Sequence, residues 1–156
     1  MNNLRKDKRG LVMGVANDKS IGWGIAKAIA EQGGELAFTY QGEALKKRVV
    51  PLADSVNSDI VLPCDVSNDE DIDNTFNELK KVWPKIDFLV HAIAFSDKDE
   101  LKGEYIDTSR ENFLNTMDIS VYSFTAIARR ASVMMPDGGS LFCLLYTSDA
   151  ADEQWS

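Results

Sequence analysis

Five short apolar runs, each parted from the next by a stretch of helical periodicity, most narrow what this chain can fold into. They are Leu11–Val15, Glu35–Tyr40, Ile60–Cys64, Ile86–Ala94 and a run opening at Ser140-Leu141-Phe142. Between them, apolar residues recur every three or four positions. Ile25, Ala26, Ile29 and Ala30 form the first such stripe, and Leu45, Val49, Leu52 and Val56 the second. Ile72, Phe76, Leu79 and Trp83 form the third; Val121, Phe124, Ala128 and Ala131 or Val133 form the fourth. Strand and helix alternating through short connections predict an α/β domain with a doubly wound parallel sheet, covered on both faces by right-handed crossovers.

Punctuation residues set the expected boundaries. Gln32-Gly33-Gly34 reads as a helix stop, and Pro51 predicts a kink or restart within Gly42–Asn57. Ser67-Asn68-Asp69-Glu70 and Thr108-Ser109-Arg110-Glu111 each match a capping box, and Pro84 closes the helix that the first one opens. Ser96–Asp107 is polar and reads as a loop; the helix after it runs to Met135 with a break near Thr116–Ser120. Pro136-Asp137-Gly138-Gly139 is a turn.

At 156 residues and 44% apolar content the chain is one domain in size with enough material for a core. A net charge of −8 argues against a nucleic-acid or anionic-membrane surface, and the basic cluster Arg5, Lys6, Lys8 and Arg9 is too short to reverse it. No apolar run nears the ~20 residues that span a bilayer, and the polar start is not a secretory leader. Cys64 and Cys143 make no metal-ligand spacing; two isolated cysteines fit a reducing compartment, so a cytoplasmic protein is expected.

In sheets of this kind ligands bind beyond the carboxyl ends of the strands. The loops that converge there are Gly14–Gly22, Gln41, Asp65-Val66 and Ala92–Ser96. The first carries Gly14, the turn residues Asn17-Asp18-Lys19-Ser20, then Gly22 and Gly24 leading into a helix, whose unpaired N–H groups and dipole favour a phosphate. Seven residues separate Gly14 from Gly22, which is not G-x-G-x-x-G, so a dinucleotide site and a tight strand-to-helix connection both fit. Asp65 reads either as an acceptor for an exocyclic amine or as a solvated turn aspartate. His91, the single histidine, lies in an apolar strand and reads as a satisfied core residue rather than a base. Trp23 reads as helix-face packing. Gln41 and Glu43 stand where a ribose-binding acid is expected, and Lys46, Lys47 and Arg48 read as the solvated face of the next helix, which favours NADH over NADPH.

Three segments in order, GVANDKSIGWGIA at Gly14–Ala26, CDV at Cys64–Val66 and HAIAF at His91–Phe95, together with MDISVYSF at Met117–Phe124, resemble the enoyl-acyl-carrier-protein reductases. These are a divergent branch of the short-chain dehydrogenase/reductase superfamily. The resemblance implies a Rossmann-type sheet, here cut at about the fifth strand. It also implies NADH-dependent reduction of a trans-2-enoyl thioester carried on acyl carrier protein, in fatty-acid synthesis. By motif, Gly14, Ser20 and Ile21 would line the pyrophosphate, Gln41 the adenosine ribose, Asp65 and Val66 the adenine, and Ile93 the cofactor's ribose. Ser96 falls where the family's backbone meets substrate. The family assembles as a homotetramer through parts largely absent from this chain, so a tetramer is implied for the parent protein rather than for this stretch.

The family's tyrosine and lysine, which serve the enolate oxygen and the ribose, lie just past the fifth strand. Here the last lysine is Lys102, and Tyr146 is the one tyrosine after Tyr122. No catalytic residue is assigned, and the chain alone is expected to be inactive. Cys143–Ser156 (CLLYTSDAADEQWS) leaves the family pattern in mid-strand and resembles a translated sequencing adapter. The incomplete dinucleotide-binding domain is therefore expected over residues 1–142, with 143–156 a disordered tail. Two other readings are an ordinary short-chain dehydrogenase, which wants N-A-G where HAIAF stands, and a non-catalytic NADH-binding module, which needs the short C-terminus to be genuine.

Overall fold

The computed structural model describes residues 6–144. Five parallel strands lie in the order β3-β2-β1-β4-β5, with β1 Arg9–Met13, β2 Glu35–Tyr40, β3 Val61–Pro63, β4 Phe88–His91 and β5 Ser140–Cys143. The helices are α1 Ile21–Glu31, α2 Gly42–Ser55, α3 Asp69–Val82, α4 Arg110–Met117 and α5 Ser123–Val133. In the central register Leu11 stands beside Ala37 on one side and Leu89 on the other.

Successive strand residues point to opposite faces, so the apolar strands feed two cores. Leu11, Met13, Ala37 and Leu89 pack against Ile72, Phe76 and Leu79 of α3 and Ala126, Ile127 and Ala131 of α5. Val12, Phe38 and Val90 pack against Trp23 and Ala26 of α1 and Val49 and Ala53 of α2. This is why strands of such a sheet read as unbroken apolar runs rather than alternating ones. Among the described residues no helix is long and apolar enough to cross a membrane.

Several expected boundaries move, each for a local reason. β1 starts two residues earlier than its apolar run, at Arg9, whose position is paired with Glu35. β4 is only four residues long; the apolar residues that follow it leave the ladder after the Ala92 N–H to Met13 carbonyl bond. Pro51 sits inside α2 without breaking it. Pro51 and Lys47, whose carbonyl loses its partner, are both exposed, so water can take up the lost bond. α1 begins at Ile21, which puts Gly22 and Gly24 in its first turn rather than before it. It ends as expected: Gly33 has φ +83°, and the Gly33 and Gly34 N–H groups close on the Ala30 and Ile29 carbonyls.

Neither capping box forms as spelled. Asn68 caps α3 by accepting from the Glu70 N–H, while Ser67 turns to Asp65. Ser109, not Thr108, caps α4 by accepting from the Asn112 N–H at 3.1 Å. The expected break between α4 and α5 is a π turn, Asp118–Tyr122. Its extra residue shifts the helix phase. Ser120, Ser123, Ile127, Ala131 and Met134 therefore face the core, Val121, Phe124 and Ala128 are half-buried, and Val133 is exposed. β5 pairs through Cys143, which stands beside His91, and Leu144 N–H bonds the His91 carbonyl. Residues 145–156, most of the expected tail, lie outside the described residues.

Candidate functional site

A cleft of about 390 Å³ opens at the carboxyl ends of β1 to β4. Gly14 and Ala16 line it from β1, Thr39 to Gln41 from β2, Cys64 to Val66 from β3, and Ala92 to Phe95 from β4, with Asn115 and Ile119 closing one side. The strand order puts Asp65 and Phe95 toward opposite ends.

The first loop is built for close approach. Gly14 has φ +93°, and a Cβ there would fall inside the Ala92 carbonyl. Beyond it, Asn17 accepts from the Lys19 N–H at 2.8 Å, and the Ser20 N–H reaches back to the Asn17 carbonyl. Ser20 occupies the N-cap of α1 but does not cap it with its side chain. Its hydroxyl instead donates to the Asn17 carbonyl at 2.6 Å. Trp23 and Gly24 N–H both bond the Ser20 carbonyl. Within the described residues the Ile21 and Gly22 N–H groups have no acceptor, and no acidic residue stands in the first turn. The helix end therefore keeps its positive character.

Asp65 anchors the other end. Its Oδ1 accepts from the Ser67 N–H at 3.0 Å and the Ser67 hydroxyl at 2.7 Å, and its Oδ2 accepts from Gln41 Nε2 at 2.9 Å. The Ser67 hydroxyl holds the carboxyl below its ordinary pKa; burial opposes, and the Ser67 N–H and Gln41 reinforce the lowering. The group is a fixed carboxylate with one acceptor site left, on Oδ2. The loop that carries it is held from below: Asp65 N–H donates to Asp71 Oδ2 of α3 at 3.3 Å. Arg130 of α5 ties that helix down through Asp69 at 3.0 Å and Asp73 at 2.6 Å.

The β4 side is a wall rather than a charge site. Phe95 N–H donates to Ser120 Oγ at 3.1 Å. Ser96, which does not line the cleft, places its hydroxyl in a half-buried cluster, where Asn112 Nδ2 donates to it at 3.1 Å and Thr116 Oγ1 lies 3.2 Å away.

His91 is fully buried. Ser123 gives its hydroxyl proton to the Ile119 carbonyl at 2.6 Å, so His91 Nε2, 2.7 Å from Ser123 Oγ, carries the hydrogen. Nδ1 faces Cys143 Sγ at 3.7 Å, and burial pushes that thiol's pKa up, keeping it a donor. Burial likewise lowers the imidazole's pKa, and the ring is a neutral core residue as read from the sequence. The unfolded chain takes up this proton as pH falls through about 6.5 while the folded chain does not. Stability is thus full above that pH and declines below it, by up to about 1.4 kcal/mol per pH unit. Urea titrations at pH 7.5 and 5.5 check this: His91→Asn is expected to flatten the decline, and an equal decline in both proteins contradicts it.

Of the positions singled out in the sequence, Gly14, Gln41, Asp65, Val66 and Ile93 meet in the cleft. Ser20 and Ile21 stand at the helix start and Ser96 in the adjoining loop, outside the lining. Sequence reasoning missed Ser67, whose Asp-x-Ser spacing is itself a turn signal, and Ser120 and Asn112, which no spacing marks.

A parallel sheet of this strand order, with its cleft at the strand ends, is a Rossmann-type fold. A family model described as Enoyl-(Acyl carrier protein) reductase matches residues 14–155. A curated relative, Enoyl-[acyl-carrier-protein] reductase [NADH] 2 of Rhizobium meliloti, is 60% identical over 94% of this chain and 54% of its own length. Among solved structures, FabI from Candidatus Liberibacter asiaticus superposes with a TM-score of 0.89 at 54% identity, over 90% of this chain and 55% of that one. The Anaplasma phagocytophilum reductase in complex with NAD gives 0.84 at 56% identity, over 87% and 52%. The chain belongs to the enoyl-acyl-carrier-protein reductase family. It spans about half the length of the curated relatives it matches.

Proposed function

We propose that this chain is the cofactor-cradling part of an NADH-dependent enoyl-acyl-carrier-protein reductase of the cytoplasm. Its parent reduces trans-2-enoyl thioesters on acyl carrier protein and works as a homotetramer. The observation that carries this reading is that Gly14, Gln41, Asp65, Val66 and Ile93, separated along the chain, line one cleft. When bound, the nicotinamide supplies a hydride for the double bond.

The chain's own residues fit such a group. Ile21 and Gly22 offer unpaired N–H groups to the pyrophosphate, with Gly14 and Ser20 beside them. Asp65 would accept from the adenine amine, Val66 would pack on the ring, and Gln41 and Ile93 would stand by the adenosine ribose and the second ribose. Ser96 meets substrate through its backbone, since its hydroxyl is engaged by Asn112. No proton donor is assigned to these residues: Tyr40, the tyrosine on the cleft wall, stands at the β2 end beneath Lys46.

Lys46 argues for NADH over NADPH. Its ammonium lies 3.5 Å from Glu43 and 5.7 Å from the Tyr40 ring centroid, so it is engaged, and Glu43 would repel a 2′-phosphate. Calorimetric titration of the chain with both dinucleotides is expected to give NADH the lower Kd by about tenfold, the scale of one solvent-screened charge repulsion. Equal or tighter NADPH binding would refute the cofactor assignment.

A further inference from the structure

The π turn Asp118–Tyr122 grips the β4 exit at two points. Ser123 N–H closes on Asp118 O, five residues back, and the Ser123 hydroxyl holds His91. Ser120, 7% exposed, accepts from the Phe95 N–H at 3.1 Å and donates to the Phe95 carbonyl at 3.3 Å. Phe95 lies past the end of β4 and has no ladder partner of its own. One hydroxyl therefore satisfies both of its backbone groups and fixes the cleft wall farthest from Asp65. π turns recur at functional sites because they re-aim side chains that a regular helix would leave out of register.

We propose that Ser120 is a positioning residue for the part of the dinucleotide distal to adenosine, acting through the Phe95 backbone. The proposal rests on the functional reading above. Ser120 itself touches no ligand; it keeps the Ala94–Ser96 backbone in a single conformation, so its removal affects only ligands long enough to reach that wall.

The test compares NADH with AMP, which reaches only the Asp65 end, on the full 156-residue chain. Ser120→Ala, which removes both hydrogen bonds to Phe95, is expected to weaken NADH binding about five- to tenfold, within the scale of those bonds. AMP binding should stay within about twofold, and Ser120→Thr, which keeps the hydroxyl, should recover NADH affinity. Equal losses for both ligands would mark Ser120 as merely structural and overturn the proposal, as would unchanged NADH binding. Should Ser120→Ala fail to fold, Ser120→Thr binding both ligands like the native chain supports the proposal, and a selective loss of AMP overturns it. A native chain that is folded yet binds neither ligand strikes the functional reading itself, and this one falls with it.

Discussion

Gly14→Ala is expected to destabilise the chain by about 2–5 kcal/mol, a large share of what a domain of this size has in reserve. Two costs add. The backbone at Gly14 has φ +93°, a region in which a Cβ costs about 1–2 kcal/mol. The methyl would also collide with the Ala92 carbonyl, where no flexible side chain can yield and backbone must shift; overpacking of that sort costs about 1–3 kcal/mol. The shift would open the joint between the exits of β1 and β4, so binding should suffer with stability. Gly24→Ala is the control, since a Cβ there meets nothing within 4 Å and the position is helical. It is expected to be neutral or to stabilise by about 0.5–1 kcal/mol. Urea midpoints for the two variants check the pair, and a Gly14→Ala protein as stable as the native chain contradicts the close-approach argument.

Asp65→Ala should be the most damaging single change to NADH binding that spares the fold. The carboxylate is fixed by Ser67 and Gln41 and sits half-buried at the end of β3, so it is a preorganised acceptor. A hydrogen bond to a charged group contributes about 1.5–3 kcal/mol, which converts to about a 10- to 100-fold rise in Kd. The side chain lies outside both hydrophobic cores, so the melting temperature should move by only a few degrees, roughly 1 kcal/mol. Titration with AMP locates the effect: AMP affinity should fall as steeply as that of NADH. A loss confined to NADH would move the adenine away from Asp65.

The architecture was legible because a doubly covered parallel sheet writes itself as apolar runs between amphipathic stripes. Leu11, Phe38, Phe76 and Leu89, all fully or nearly fully buried, are the residues that carried that reading. The cleft was legible for a related reason: strand ends in such a sheet converge, so Gln41, Asp65 and Ile93 were brought together by topology alone. What resisted was phase and termination. The stripe Val121, Phe124, Ala128 is the one hydropathy selects, yet the π turn rotates the helix by a residue and buries Ser120 and Ser123 instead. Serines facing a core carry no apolar signal; their partners, Phe95 and His91, are 25 and 32 residues away. Likewise the apolar run past His91 is the same chemistry whether it stays in the ladder or leaves it to wall a cleft. Thr108 and Ser109 are both residues that cap helices, Thr108 alone spells the box with Glu111, and yet Ser109 takes the Asn112 N–H.

The most direct test of the central claim is a two-dimensional NMR titration of the isotopically labelled chain with NADH. Saturable shifts of the Ile21, Gly22, Asp65, Val66 and Ile93 amides are expected, with little change at Lys27 and Asn57, which line a separate groove between α1 and the end of α2. Shifts confined to that groove, or none in a chain whose spectrum is dispersed and folded, would contradict the assignment of this cleft to the cofactor.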